Sequence, residues 1–372
     1  MSSNQIYNLE IGNHYIKNLD TDATIASGSS KSFIKTYHFL LFNNLGGTSV
    51  KLYYMKIYES GVLVRDLVPC YNKQDPSVIG LFDKKNNVFY EATGATKGAD
   101  MTEELTGRFS ISSTENVVFS RGNLQYQASS GSWRFATRQY AYIGYAPGNT
   151  TSTGRDTQTT WIDLFGWGAS GENAYGAQPY NASFTNSLFK TQETASSSEQ
   201  LTLGNKADWG YAYSKANSTS GWFNMTRAQW DYLLDTRSAS TINGVQNARF
   251  AKVTVNGANG LLVFPDVFTW DAATMGAVPS NINNANSSWG ASYSISQFTA
   301  QESAGIVFLP AAGYHNDEDS FENQVGAYGA YWSSNTSSAE RAFTIDFNSS
   351  YLKDYATQRS TGCSVRLVKA YN

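Results

Sequence analysis

The chain has 372 residues, of which 41% are hydrophobic and 14% aromatic but only 15% charged, and its net charge is −3. That length allows two domains with separate cores. The absence of a basic run argues against nucleic acid as a partner, and no stretch reaches the roughly 20 apolar residues of a membrane span. Ser, Thr, Asn and Gly beside many Tyr and Trp suit strands, ordered loops and binding surfaces better than long helices. Met1-Ser2-Ser3-Asn4-Gln5 offers neither the basic start nor the apolar core of a secretory signal.

The first hundred residues read as strands. Lys51–Tyr58 alternates, Glu59-Ser60-Gly61 supplies a turn, and Val62–Val68 returns, with Pro69 expected to end the second strand. Val78–Asp83 and Asn87–Tyr90 form a further pair about Lys84-Lys85-Asn86, and the small polar run Ala92–Ala99 marks an exit. We place the boundary near residue 105, giving a β-rich module at 1–105 and a second domain at 106–372. Beyond Phe109, short strands such as Asn116–Ser120 alternate with loops. One helix is expected, at Thr226–Asp235, capped by Thr226 and burying Trp230, Leu233 and Leu234. Loops at 146–160, 169–205 and 276–300 are long enough to carry function. Cys70 and Cys363 fall in different domains and are expected to be unpaired.

Several segments of the second domain look familiar in order: Phe119-Ser120-Arg121-Gly122-Asn123-Leu124-Gln125-Tyr126, Trp133-Arg134-Phe135-Ala136, Ile162–Gly168, Asp208-Trp209-Gly210, Gly260–Asp266, Val307–Gly313, Gly329–Ser334 and Gly362–Val368. This series resembles the formylglycine-generating-enzyme branch of the C-type lectin fold. Within that branch it resembles the variable proteins of diversity-generating retroelements in gut Bacteroidetes and their phages. The module before it resembles a β-sandwich-like domain of phage tail proteins, through Lys56-Ile57-Tyr58, Leu63–Cys70 and Ile79–Asp83.

The fold class the resemblance implies is α+β, β-rich and loop-rich: a C-type-lectin-like domain preceded by a small β-sandwich-like domain. The implied function is that of a non-enzymatic phage tail-fibre or receptor-binding protein. Its partners would be a host cell-surface protein or glycan, other tail proteins and further copies of itself in a homotrimer. It would be made in the bacterial cytoplasm and carried in the virion, with the N-terminal module serving attachment or oligomerisation. The alternative is a bacterial surface adhesin or carbohydrate-binding protein on the same fold. No cofactor or metal is expected.

In the resembling proteins a stretch near the C-terminus, here about 328–363, is rewritten between fixed frames. Exchange is tolerable only at exposed positions, where substitutions shift stability by less than about 0.5 kcal/mol. Ala342–Phe347 alternates. By analogy with the family, Ile345 and Phe347 go to the core, so Thr344 and Asp346 should face outward. Tyr351, Lys353 and Tyr355 fall on one side of a second strand, with Leu352 opposite. The candidate contact residues are Asn335, Ser337, Ser338, Glu340, Arg341, Thr344, Asp346, Tyr351, Lys353, Asp354, Tyr355, Thr357 and Gln358, and Cys363 is a further position that could vary.

Other chemistries fit less well. The oxidase chemistry of the resembling enzymes needs several thiols together, and this domain holds only Cys363. The Glu-Pro-Asn and Gln-Pro-Asp tripeptides of calcium-dependent lectins are absent, although the acidic loop His315–Glu322 is a place where a cation could sit. A carboxylate pair for glycoside hydrolysis is a matter of spacing in the fold.

Overall fold

The computed structural model describes residues 9–11, 15–18, 23–27, 55–59, 62–71, 79–91, 103–145, 149, 161–168, 201, 203–315, 324–338 and 340–371. The described residues divide between 102 and 103 into two compact units. Both are β-rich, built from small sheets and short helices.

The described residues of the smaller unit form two antiparallel sheets. β1 (Leu9–Ile11), β2 (Tyr15–Asn18) and β3 (Ala23–Ser27) form one, and β4 (Met55–Glu59), β5 (Val62–Tyr71), β6 (Ile79–Asp83) and β7 (Val88–Glu91) form the other as a meander. Pro69 does not end its strand. It lies inside β5 and pairs with Leu81 of β6. The β6–β7 turn is fastened by Asp83, which accepts hydrogen bonds from the backbone of Asp66 and Lys85, both at 3.1 Å, and from the Asn86 amide at 2.6 Å. Burial pushes this carboxyl up, but these donors outweigh it and hold it below its ordinary value.

The larger unit is organised as three apolar cores separated by two sheets. One sheet comprises β13 (Phe250–Val255), β14 (Ala258–Val263), β16 (Val307–Pro310) and a short parallel addition, β15 (Ser292–Tyr293). Alternation sends its side chains to opposite sides. Phe250, Leu261, Val263, Val307 and Leu309 enter the central core, and Ala251, Val253, Leu262 and Phe308 enter an outer one. A sheet buried on both sides explains the unbroken apolar runs Leu261–Phe264 and Ile306–Leu309.

The second sheet is β17 (Gly329–Thr336), β18 (Arg341–Phe347) and β19 (Leu352–Gln358), in that order and antiparallel. Tyr331, Ile345 and Phe347 join the central core from it. Ala330, Trp332 and Ala342 join the third core, with Phe165, Trp167, Trp209, Trp222 and Cys363. A further sheet places β20 (Val368–Ala370) between β12 (Trp222–Phe223) and β9 (Asn116–Phe119), with β8 (Phe109–Ser110) outside β9, while β10 (Leu124–Gln127) and β11 (Ser132–Phe135) form a hairpin.

Four α-helices are found among the described residues of this unit. α1 spans Trp209–Asn217, and its Asp208 cap accepts the Gly210 N–H at 2.7 Å. α2 is Arg227–Asp231, continued as a π-helical turn over Tyr232–Thr236. Thr226 caps it in a reciprocal box with Gln229, and Trp230, Leu233 and Leu234 are buried, as their spacing predicts. α3 (Ala272–Met275) and α4 (Ile295–Ser303) lie against the outer core through Met275 and Phe298. The expectation of a single helix is therefore corrected. Ser294 and Gln297 form a capping box at the start of α4, inside what reads in sequence as a loop over 276–300. The loops 146–160 and 169–205 lie almost wholly outside the described residues.

Candidate binding face

The β17–β19 sheet is fixed by a buried polar network. Tyr331 donates its hydroxyl to the Pro310 carbonyl at 2.8 Å and accepts from the Asn123 amide at 3.0 Å. Arg366, fully buried, reaches Gln139 Oε1 at 2.8 Å, and Gln139 donates to Glu302 and to the Ile306 carbonyl. Loss of water lowers the Arg366 guanidinium to about 10. Across the sheet, Trp332 donates its indole N–H to the Phe165 carbonyl at 2.6 Å, and Trp167 donates to the Ser333 carbonyl at 2.9 Å. Side chains far apart in sequence thus hold β17 from both sides.

The ladder between β18 and β19 sets which residues share a side. Thr344 lies opposite Tyr355, Asp346 opposite Lys353, and Ala342 opposite Thr357, all on the side that also carries Trp332. Ile345 lies opposite Asp354 and Phe347 opposite Leu352, on the Tyr331 side. Ile345 and Phe347 are buried as expected, and Leu352 packs beside them.

Thr344 and Asp346 do not face solvent. They are 0% and 3% exposed, because the Trp332 side of β17 and β18 is itself a core wall, with Phe165, Trp167 and Cys363 packed against it. The same packing makes Cys363 a buried residue, and burial pushes its thiol up. Cys70 is half-buried, and both cysteines are free.

β19 projects beyond this cover. Lys353 and Tyr355 are exposed, Tyr355 by 47%, and Tyr351, held by a turn in which Asn348 Oδ1 accepts its N–H at 3.1 Å, is half-buried on the same side. The Lys353 ammonium lies 4.6 Å from the Tyr351 ring centre and 5.2 Å from that of Tyr355, so two aromatic faces hold it. Behind them Tyr351 donates its hydroxyl to Tyr328 at 3.2 Å, and Tyr328 donates to Asp346 Oδ2 at 2.6 Å. The Tyr314 ring meets Tyr328 edge-on at 5.1 Å. Burial raises the Asp346 carboxyl to about 6, against the pull of the Tyr328 and Thr344 hydroxyls and of Lys353. Burial and the neighbouring carboxylate both push the Tyr328 phenol well up.

The other candidate residues divide among three places. Asp354 points to the Tyr331 side and pairs with Arg227 at 2.5 Å. Arg227 lies over the Phe343 ring, and its N–H is accepted by Asn335. Arg341 and Gln358 are cross-strand neighbours on that same side. Ser337, Ser338 and Glu340 belong to the β17–β18 turn, where Ser338 Oγ accepts the Glu340 and Arg341 N–H groups. Thr357, half-buried, approaches Thr361 at 3.3 Å. Thirteen residues that the sequence places in one patch therefore resolve into an outward aromatic face, a pair of buried residues, a turn and an opposite side. Tyr314 and Tyr328 complete the outward face. They precede β17, where no alternation marks their direction.

Of the acidic loop only His315 is described, and it is buried. Residues 316–322 lie outside the described residues. Among the described residues no group of three or more His, Cys, Asp or Glu side chains is placed to hold a metal ion, and no helix is long and apolar enough to cross a membrane.

A family model described as a domain of unknown function (DUF8237) matches residues 283–368, which include β17, β18 and β19. No curated protein and no solved structure matches the chain.

Proposed function

We propose that this protein is a non-enzymatic receptor-binding protein of a phage tail, displaying a surface of C-type-lectin type to host cells. In this reading the residues before 103 attach the protein to the tail or to its own copies in a trimer. The observation that supports it is the division of one sheet. β17 and β18 are packed on both sides, while β19 and the turn before it carry Tyr351, Lys353 and Tyr355 outward on an edge. Tyrosine supplies large amphipathic contact area at small entropic cost, and an exposed row on a fixed frame can change its residues without changing its fold. One such face is small, so several copies would act together to give useful avidity.

The test is binding of the fluorescently labelled full chain to intact gut Bacteroidetes cells, beside a triple exchange Tyr351→Ala, Lys353→Ala, Tyr355→Ala. The expected result is at least a tenfold loss of affinity, about 1.4 kcal/mol, with tryptophan emission still reporting a native fold. Equal binding by both proteins would remove this face from the function. Recovery of the native protein from the cell envelope rather than from virions would favour a bacterial adhesin. Diversification predicts a near-copy of the 3′ end of the gene, differing mainly at adenines, beside a reverse-transcriptase gene.

A further inference from the structure

Asp346 is a carboxylate in an unusual place. It is 97% buried if its 3% exposure is subtracted from the whole, its Oδ2 accepts a hydrogen bond from Tyr328, and its Oδ1 makes none. Its cross-strand neighbour is Lys353, yet the two form no ion pair. The ammonium turns instead toward the Tyr351 and Tyr355 rings. The charged groups acting on this carboxyl are Lys353 from across the ladder and Asp354 beside it, and the thiol of Cys363 lies on the same side. A buried charge without a full set of partners costs stability, so packing alone does not explain a carboxylate here.

We infer that Asp346 and Tyr328 are positioning residues for the outward face: the Asp346 carboxylate orients the Tyr328 hydroxyl, which holds the Tyr351 ring, which in turn frames Lys353. The chain of contacts is continuous. Tyr328 donates to Asp346 at 2.6 Å, so its own oxygen is turned to accept from Tyr351 at 3.2 Å. Its ring also meets the Tyr351 ring edge-on at 6.3 Å. The ammonium then sits against a ring whose position is set from beneath. Asp346 thus touches no ligand and still determines the geometry that a ligand meets. Fixing the face before binding lowers the ordering cost of association. The consequence for recognition rests on the reading of this face as a binding site, whereas the relay itself does not.

The experiment reads the relay without any ligand. Trypsin should release residues 342–353 with Tyr351 as its one tyrosine and 354–359 with Tyr355 as its one tyrosine. Nitration by tetranitromethane can therefore be followed at each ring by mass spectrometry on the full chain. Tyr328→Phe keeps the ring and removes the hydroxyl, and Asp346→Ala removes the acceptor. Releasing one hydrogen bond should speed Tyr351 nitration by about two- to tenfold in both variants, with Tyr355 unchanged. Tryptophan emission should report a native fold for Tyr328→Phe. An unchanged Tyr351 rate in a folded Tyr328→Phe protein overturns the inference, and so does an equal rise at Tyr355. If the relay holds while cells are not bound, the functional reading fails and the positioning stands.

Discussion

Gly329 offers a direct test of how closely the central core is fitted. It lies opposite Phe347 across the β17–β18 ladder, and the ring rests where a side chain would otherwise be. A Cβ at this position would lie 2.1 Å from Phe347 Cζ and 2.4 Å from Cε2. The ring cannot easily move away, because Phe347 is 0% exposed, stacked on Tyr331 at 5.9 Å and met edge-on by Trp289 at 6.5 Å. Overpacking a core costs about 1–3 kcal/mol, and this contact belongs to the upper part of that range. Alanine also restricts the unfolded chain, which returns about 0.4–1 kcal/mol. Gly329→Ala should therefore lose about 1–2 kcal/mol net. All nine tryptophans lie beyond Glu103, so their emission in urea reports the larger unit alone. With a slope of about 1–3 kcal/mol per molar urea, the midpoint should fall by roughly 0.3–2 M. Shrinking the ring with Phe347→Leu should make the double variant less unstable than the sum of the two, by at least about 0.5 kcal/mol. A Gly329→Ala midpoint at or above that of the wild type, or strict additivity, would refute the argument.

The remaining expectations follow from the same geometry. Lys353→Ala and Tyr355→Ala should each shift stability by less than about 0.5 kcal/mol, whereas Ile345→Ala should cost about 2–5 kcal/mol, measured by the same urea titration. Asn123→Ala should cost about 1–3 kcal/mol by leaving the Tyr331 hydroxyl and Arg366 short of partners. For Asp346, burial raises the folded carboxyl from 3.8 to about 6, so the folded state binds the proton more tightly. Its contribution to stability is full below pH 3.8 and is lost as pH rises through 6. Asp346→Asn should accordingly be more stable than the wild type at pH 7.5, by up to about 3 kcal/mol. That advantage should shrink steadily toward pH 4 in paired urea titrations, and an advantage constant across this range would contradict the assigned cause.

Much of the hairpin was legible because alternation is a local property. Ile345 and Phe347 fall in the core, and Tyr351, Lys353 and Tyr355 share a side, as the spacing of two requires. For Thr344 and Asp346, alternation gives the side opposite Ile345 and Phe347 but does not show that this side is covered as well. Their neighbours across space, Phe165, Trp167 and Cys363, come from distant segments that no local pattern connects to this strand. Asp354 takes the opposite side by the same alternation, and its partner there, Arg227, lies over a hundred positions earlier. α2 was visible through its cap and its apolar spacing, and α4 was not, although Ser294 and Gln297 carried the same signature. The serine-rich sequence around it masked a reciprocal cap among many polar residues. Pro69 shows the converse. A residue that usually ends strands lies inside β5, paired with Leu81 of β6.

Thr344 and Tyr355 stand side by side on one surface of one sheet, joined by the ladder and by a hydroxyl-to-carbonyl bond of 3.3 Å. A change at Tyr355 alters what the molecule can touch, while a change at Thr344 alters whether it keeps its shape. Were this stretch of the gene rewritten, the tolerated changes would therefore divide between adjacent strands, not between regions. Every threonine codon begins with adenine, so an adenine-directed process would strike the inner partner as readily as the outer one. Selection for folding, acting after the rewriting, would then decide how much of the variation survives.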